Sequence, residues 1–234
     1  MGTPPAPGAP TGPPRAGPAA VRTIVLDLDG PLLDGRERHY ACYRSILDDL
    51  GYEPVDAAAY WAMKRDRVDR KAQLDASGAG AAYEPFLRAW LDRIERPEFL
   101  ALDRVQAGAV DALRRWKSGG IGLGLATLRR SPDRLRDQLA STGLGRFLDA
   151  LVVSGHEGGG AGKARQVREA VPGLDPGRTL WVGDTEVDVE AARALGCPVW
   201  ALTCGLRTGS YLESLAPDFL SPDITHVDPE RCGR

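Results

Sequence analysis

The segment RTIVLDLDGP, residues 22–31, carries the strongest structural signal in the chain. It begins as a short apolar run rich in β-branched residues, and Gly30 and Pro31 end that run, which is typical of a buried strand. Two carboxylates, Asp27 and Asp29, follow the run directly. Because ligands of open parallel sheets bind outside the carboxyl ends of the strands, the segment predicts both a first strand and part of a ligand site.

The rest of the chain predicts an α/β fold. Residues 36–96 have a helical pattern and no credible strand, whereas short apolar runs and helical patterns alternate after residue 104. We therefore expect a Rossmann-like parallel sheet core over residues 21–35 and 104–234, with an α-helical cap inserted after the first strand at residues 36–103. The predicted strands lie at 121–126, 150–154, 179–183 and 198–202, and the predicted helices at 105–117, 132–141, 163–171 and 186–195.

Residues 1–20 are almost entirely Gly, Pro, Ala and Thr. Such a segment cannot bury enough apolar surface to offset its chain entropy, so a disordered tail is expected there. The four cysteines lie far apart and form no C-x-x-C pair, which argues against a zinc site and a disulfide framework. With no apolar run of 18 residues and no secretory signal pattern, the sequence favours a cytoplasmic protein.

The composition is that of an ordinary globular protein, with 43% hydrophobic residues, 26% charged residues and a formal net charge of -2. Neither a basic arm nor an excess of one sign of charge is present. The sequence therefore indicates no nucleic-acid partner and no membrane partner, and it leaves the oligomeric state open.

Polar residues follow three of the predicted strands at the point where each strand ends. Besides Asp27 and Asp29, Thr127 follows residues 122–126 and Asp184 follows residues 179–183. In a parallel sheet these positions converge at one edge. Carboxylates gathered there would repel one another without a cation, and oxygen ligands beside a phosphate-bearing substrate favour Mg2+.

These residues resemble the motifs of the haloacid dehalogenase superfamily. DLDGPLLD at residues 27–34 is similar to its first motif, Thr127 to its second, Lys163 to its third, and GDTEVD at residues 183–188 to its fourth. The motifs occur in the family's order across residues 22–202. The helical block between the first two motifs resembles the inserted cap of the phosphoglycolate phosphatase and β-phosphoglucomutase branch.

The resemblance implies a role for each motif residue. Asp27 would be the nucleophile that forms an aspartyl-phosphate, and Asp29 would protonate the leaving alkoxide and then deprotonate the attacking water. Thr127 would donate its hydroxyl to a phosphoryl oxygen, and Lys163 would neutralise charge on Asp27 and the phosphoryl group.

The resemblance also implies a Mg2+ site made of oxygen ligands. Asp27, the backbone carbonyl of Asp29 and Asp184 would hold the ion, with Asp188 nearby as a ligand or as an acceptor behind the ligands. The alternative for Asp188 is a solvated position on a helix face.

The surroundings of Lys163 depart from the family pattern. The lysine ends a glycine-rich stretch, residues 158–162, and lacks the proline that often follows the family lysine. We expect these glycines either to bend the backbone around the phosphate site or to form a flexible loop. The stretch does not match a nucleotide-binding P-loop, because Glu157 and Ala164 occupy the positions of its first Gly and its Ser or Thr.

The insertion is expected to select the substrate. Arg38 and His39 lie near its start, and Lys64 and Arg65 follow Tyr60 and Trp61 at the spacing of helical neighbours. These four basic residues, together with Arg129 behind Thr127, are the candidates for substrate binding. The alternatives are that the aromatic residues form the cap core, that the charges face solvent, and that His39 is a hinge or cap contact.

The predicted function is Mg2+-dependent hydrolysis of a small phosphorylated metabolite, such as a sugar phosphate or a phosphoglycolate-like acid. A phosphosugar mutase of the β-phosphoglucomutase kind is the alternative enzyme, because it shares the two aspartates and the cap. A non-catalytic binding protein on the same fold is the other alternative. The departures from the family pattern, including Pro31 where Thr or Val is common, affect loops rather than catalytic positions.

Overall fold

The computed structural model describes residues 20–155 and 157–233. The predicted disordered tail, residues 1–20, lies outside these ranges apart from its last residue. Within the described ranges, no helix has the length and apolar character needed to cross a membrane.

A six-stranded parallel sheet forms the centre of the molecule, in the order β5-β4-β1-β6-β7-β8. The predicted α/β class and the parallel Rossmann-like core are therefore confirmed. The strands of this sheet are β1 (Thr23–Leu26), β4 (Gly122–Thr127), β5 (Ala150–Val153), β6 (Thr179–Gly183), β7 (Val199–Leu202) and β8 (Phe219–Ser221).

The first strand occupies the middle of the sheet because its side chains are apolar on both faces. Ile24, Val25 and Leu26 are all buried, and β1 pairs with β4 on one side and with β6 on the other. Ile24 and Leu26 belong to the core on one face, and Val25 belongs to the core on the opposite face. Burial on both faces is what a continuous apolar run in a parallel sheet predicts.

Helices cover the sheet and build the inserted block. The block holds α1 (Arg36–Leu50), α2 (Ala57–Arg65), α3 (Arg70–Asp75), α4 (Tyr83–Arg93) and α5 (Pro97–Leu100). The remaining helices are α6 (Ala109–Ser118), α7 (Pro132–Ser141), α8 (Gly159–Ala170), α9 (Glu186–Leu195) and α10 (Gly209–Ser214).

The inserted block has an aromatic core of its own, separate from the two cores of the sheet. Tyr43 stacks on Tyr60 with ring centroids 4.4 Å apart, and Phe86 stacks on Trp90 at 5.9 Å. Tyr60 is therefore a cap core residue, as one of the sequence alternatives held. That residues 36–103 behave as a separate cap domain stays a prediction.

Two short strands close the base of the insertion and correct the predicted helix 105–117. β2 (Leu33–Asp34) pairs antiparallel with β3 (Arg104–Val105), and α6 begins only at Ala109. The backbone of Gln106 also donates to the carbonyl of Leu32. The segments that enter and leave the insertion are therefore hydrogen-bonded to each other, and this pairing keeps residues 104–105 extended.

The glycine-rich stretch before Lys163 corrects a second expectation. It is neither a bend around a phosphate nor a flexible loop, because α8 already begins at Gly159. A Cβ on Gly160 would lie 2.4 Å from the Cβ of Glu190 and 2.6 Å from the carbonyl oxygen of Val187, both on α9. Gly160 therefore allows α8 and α9 to pack closely, which brings Lys163 against the end of the sheet.

Candidate active site

Three neighbouring strands bring the candidate catalytic residues to one edge of the sheet. Asp27 follows β1, Thr127 ends β4, and Asp184 follows β6. Carboxylate oxygens of Asp27, Asp184 and Asp188 all lie within 4.8 Å of one another. The convergence expected from the strand order is present in the structure.

Lys163 reaches this edge from α8 and lies between two of the carboxylates. Its Nζ is 2.7 Å from Oδ1 of Asp27 and 2.8 Å from Oδ1 of Asp188. The lysine side chain is only 1% exposed, and burial alone would favour its neutral form. Asp188 and Asp27 outweigh that effect and raise the pKa of Lys163, so the lysine stays charged.

Asp27 is a buried carboxylate with a strongly raised pKa. Burial raises its pKa, and the nearby Asp188 raises it further, whereas Lys163 lowers it; the result is a pKa of about 7. A cation beside Asp27 would favour its ionised form. Only its Oδ1 accepts a hydrogen bond from a described residue, which leaves Oδ2 for a ligand.

The Asp184 carboxylate packs directly against the backbone of two glycines, Gly30 and Gly205. A Cβ on Gly30 would lie 2.2 Å from the Asp184 Cγ, and a Cβ on Gly205 would lie 1.9 Å from its Oδ2. Oδ2 accepts a hydrogen bond from the backbone of Leu206 at 2.5 Å. The other oxygen, Oδ1, is buried and has no hydrogen-bond donor among the described residues.

An unpaired buried carboxylate oxygen is costly unless a cation meets it. Burial, with Asp27 and Asp188 close by, raises the pKa of Asp184 well above its usual range. Asp184 Oδ1 and the free oxygen of Asp27 are hard oxygen donors, which suit Mg2+. The residues present therefore fit a divalent cation at this point.

Asp188 lies in the first turn of α9, and both of its carboxylate oxygens accept hydrogen bonds. Its Oδ1 accepts from Lys163 at 2.8 Å and from the Trp181 indole at 3.2 Å. Its Oδ2 accepts from the hydroxyl of Thr185 at 2.8 Å and from the backbone nitrogens of Asp184 and Thr185 at 3.2 Å. This arrangement favours the predicted role behind the ligands, in which Asp188 orients Lys163, and it excludes a solvated helix face.

Asp29 is held by two arginines. Arg129 donates to both of its oxygens, from Nε and from Nη2 at 2.8 Å each, and Arg38 donates to Oδ1 at 2.6 Å. Burial would raise the pKa of Asp29, but Arg129 and Arg38 lower it to about 2. In this arrangement Asp29 is ionised, and both of its oxygens accept hydrogen bonds from arginines.

Asp103 was not identified from the sequence, although it forms a ring of four charges with Asp29, Arg38 and Arg129. It accepts from Arg38 Nε at 2.8 Å and from Arg129 Nη2 at 3.1 Å, and its side chain is fully buried. Gln138 on α7 donates to the same carboxylate at 2.8 Å. Asp103 belongs to no motif, and its one sequence signal was its position at the return crossing from the insertion to the core.

The cap places His39 and Lys64 among aromatic rings. His39 lies 5.6 Å from Trp90 and 6.3 Å from Trp61, measured between ring centroids, and Lys64 Nζ lies 5.6 Å from the Trp90 centroid. Burial, together with Lys64 and Arg38, lowers the pKa of His39 well below its usual range, so His39 is neutral. These contacts favour the cap-contact role of His39 over a catalytic base.

Arg65 contacts the core instead of the site, although it is the neighbour of Lys64. Its Nη2 donates to the carbonyls of Thr203 at 2.7 Å and Arg207 at 3.1 Å. Arg207 in turn donates to the carbonyl of Lys64 at 3.2 Å and forms an ion pair with Glu186 at 2.7 Å. The end of α2 is thus fastened to the loop after β7, a contact that the sequence spacing could not reveal.

The cap lies close against the core at this point. The space lined by Asp29, Gly30, Trp61 and Leu206 has a volume of about 10 Å³, which is roughly the room that one water molecule needs. This space is too small for a phosphate ester in the present arrangement of α2 and the loop after β7.

Comparisons with known proteins find relatives along most of the chain and solved structures that share its fold. The chain is 28% identical over 206 residues to the phosphoglycolate phosphatase of Synechococcus elongatus, covering 86% of this chain and 92% of that protein. A haloacid dehalogenase-like family hydrolase from Streptococcus pneumoniae superposes with a TM-score of 0.73 at 19% identity, over 90% of this chain and 96% of that one. A putative β-phosphoglucomutase from Thermotoga maritima superposes at 0.64 with 21% identity, over 91% and 96%.

The family model described as haloacid dehalogenase-like hydrolase matches residues 21–196. This match includes all four motifs and the whole inserted block, so the predicted resemblance is confirmed. The chain belongs to the haloacid dehalogenase-like hydrolases.

Proposed function

We propose that this protein hydrolyses a small phosphate monoester through an aspartyl-phosphate on Asp27, with Mg2+ as its cofactor. The observation that carries the proposal is the position of Lys163 Nζ, 2.7 Å from Asp27 inside a crevice that also holds Asp184. A buried carboxylate with one oxygen fixed by a lysine and the other available is suited to attack phosphorus.

In the first step, an oxygen of Asp27 bonds to phosphorus while the bond from phosphorus to the alcohol oxygen breaks. Asp29 first leaves the arginines and takes up a proton from solvent, and the alcohol then leaves with that proton. Water next cleaves the acyl phosphate, which releases inorganic phosphate and the free carboxylate of Asp27, while Asp29 takes up the proton of the water. Lys163 stays charged beside Asp27 and stabilises the negative charge of the phosphoryl oxygens. The hydroxyl of Thr127, at the end of β4, is proposed to donate to one of those oxygens.

Mg2+ would be held by Asp27, by Asp184 and by the backbone carbonyl of Asp29. When bound, the ion would neutralise the carboxylates and the phosphate and so permit their close approach. The unpaired Oδ1 of Asp184 supports this assignment. Asp188 is proposed to hold Lys163 rather than to bind the ion directly.

The substrate is proposed to be a phosphoglycolate-like acid or a sugar phosphate that enters between cap and core. The similarity to the phosphoglycolate phosphatase of Synechococcus elongatus supports hydrolysis over phosphosugar transfer. Arg38, His39, Lys64 and Arg129 are the side chains proposed to contact the alcohol part of the substrate. Arg65 is proposed to fasten the cap instead.

Release of inorganic phosphate tests the proposal. The purified chain is incubated with Mg2+ and a panel of about one hundred phosphorylated metabolites, and free phosphate and isomeric sugar phosphates are both measured. We expect free phosphate from a small subset of the esters. An isomerised sugar phosphate without free phosphate would favour the mutase, and no turnover of any ester would favour a binding protein.

A further inference from the structure

We propose that Arg38 and Arg129 form a carboxylate subsite for the alcohol part of the substrate, and that Asp103 positions both arginines. In this structure the two arginines donate hydrogen bonds to the carboxylate of Asp29. The inference rests on the proposed phosphatase function and narrows its substrate class to phosphate esters of 2-hydroxy acids.

The geometry around Asp29 is that of carboxylate recognition. Arg129 donates to both oxygens of Asp29 from Nε and Nη2, each at 2.8 Å, which is the bidentate contact that guanidinium groups make with carboxylates. Arg38 adds a third donor at 2.6 Å. Neither Nη1 atom donates to a described residue, so each arginine keeps donors for a further ligand.

Asp103 is a second carboxylate that contacts both arginines, and it shares Nη2 of Arg129 with Asp29. Its Oδ1 accepts from Arg38 and its Oδ2 from Arg129, and Gln138 fixes the same carboxylate at 2.8 Å. The arginines are themselves 2% and 6% exposed. Two guanidinium groups this well fixed would stay in place when the carboxylate between them changes, which is the property that a preorganised subsite requires.

The charges around the subsite favour an additional anion. The ring of Arg38, Arg129, Asp29 and Asp103 contains two positive and two negative groups. Nearby, Lys64 and Arg70 both lie over the Trp90 ring, at 5.6 Å and 4.4 Å from its centroid. Neither forms an ion pair with a carboxylate in the described part of the chain, so the cap adds two basic groups near Arg38.

The location of the ring defines which anion fits. Asp29 follows the nucleophile Asp27 by two residues and is the group proposed to act on the leaving oxygen. The arginines bound to Asp29 therefore lie next to the alcohol rather than next to the phosphoryl group. A substrate carboxylate one carbon from the bridging oxygen would accept hydrogen bonds from the same arginines. It would thereby replace Asp29 as their partner, and Asp29 could then act on the leaving oxygen.

Two esters that differ at one group test the subsite. 2-Phosphoglycolate and ethyl phosphate share the same bridging carbon, and a carboxylate in the first replaces a methyl in the second. We measure kcat/KM for both esters with the wild type, Arg129→Lys, Asp103→Asn and Asp49→Asn. Asp49 is an exposed cap carboxylate paired with Arg93 and serves as the matched control.

We expect the wild type to prefer 2-phosphoglycolate over ethyl phosphate by at least about tenfold, the scale of one charge-assisted contact. Arg129→Lys keeps the charge but loses the bidentate contact, so it should lower this preference about tenfold. Asp103→Asn should lower it as well, and Asp49→Asn should leave it unchanged. A purely structural role of the ring would instead reduce both rates equally.

An unchanged preference in both Arg129→Lys and Asp103→Asn would overturn the subsite, as would equal rates on the two esters in the wild type. Hydrolysis of p-nitrophenyl phosphate by the wild type tests the proposed function separately, because this alcohol leaves without needing a proton. If that ester is hydrolysed while the two alkyl esters are not distinguished, the subsite is wrong and the phosphatase function stands.

Discussion

Lys163 Nζ and Asp27 Oδ1 lie 2.7 Å apart in the interior of the protein. The lysine also holds Asp188 at 2.8 Å, so one buried cation balances two carboxylates. This relationship connects the third motif with the first and the fourth, and it depends on the close packing of α8 against α9.

Lys163→Met should lower both the rate of phosphate release and the free energy of unfolding. The change leaves Asp27 and Asp188 buried without their partner, and breaking such a buried pair costs about 3–5 kcal/mol. We expect phosphate release to fall at least about 100-fold. Lys117→Met is the control, because Lys117 pairs with Asp149 at a partly exposed site and should cost less than about 1 kcal/mol. Equal effects of the two changes in urea unfolding would contradict the account.

Asp184→Asn should separate metal binding from folding. Because Asp184 Oδ1 is buried without a donor, its replacement by an amide should raise the melting temperature in EDTA. Mg2+ should raise the melting temperature of the wild type by binding only the native state, and this increase should disappear in Asp184→Asn. Asp133→Asn, at a side chain 93% exposed, is the control. A Mg2+-dependent increase that survives Asp184→Asn would place the ion elsewhere.

Lys64 and Arg65 are neighbours in sequence but should behave differently. Arg65→Ala removes the contacts to the carbonyls of Thr203 and Arg207, so it should weaken cap closure and lower kcat/KM for every ester by a similar factor. Lys64→Ala removes a charge with no carboxylate partner among the described residues. It should lower kcat/KM roughly tenfold for an anionic alcohol and less for p-nitrophenyl phosphate. Equal profiles for the two variants would contradict this division.

The pH dependence of KM should identify Lys64. Burial, reinforced by Arg70 and Arg207, lowers the pKa of Lys64 to about 7. The lysine is therefore charged below about pH 7 and neutral above it, and KM for an anionic substrate should rise as the pH increases through 7. Lys64→Arg stays charged across this range and should flatten the profile. A KM that rises equally in both proteins would assign the titration to another group.

The sequence predicted most of the sheet and the edge that holds the candidate site, because the signals are local. Apolar runs followed by turn residues identified β6 and α9 to the residue, and the polar positions behind β1, β4 and β6 identified the crevice. These predictions needed no knowledge of distant contacts, since strand ends of one parallel sheet meet by topology.

The features that the sequence did not predict depend on distant partners. Asp103 became part of the site only through Arg38 and Arg129, which lie 65 and 26 residues away in the chain. β2 and β3 are two residues each, too short for a periodic pattern. The helical conformation from Gly159 onward requires α9 as a packing partner, and glycine composition alone indicated a loop.

A phosphoryl group on Asp27 can be detected by mass spectrometry of acid-quenched enzyme. The wild type is mixed with Mg2+ and a turned-over phosphate ester, quenched within the first turnover, and digested. We expect a phosphoryl group on the peptide that contains Asp27. In Asp27→Asn we expect no such group and phosphate release below about one hundredth of wild type. Release of phosphate without a trapped phosphoryl group, or a phosphoryl group on another residue, would contradict it.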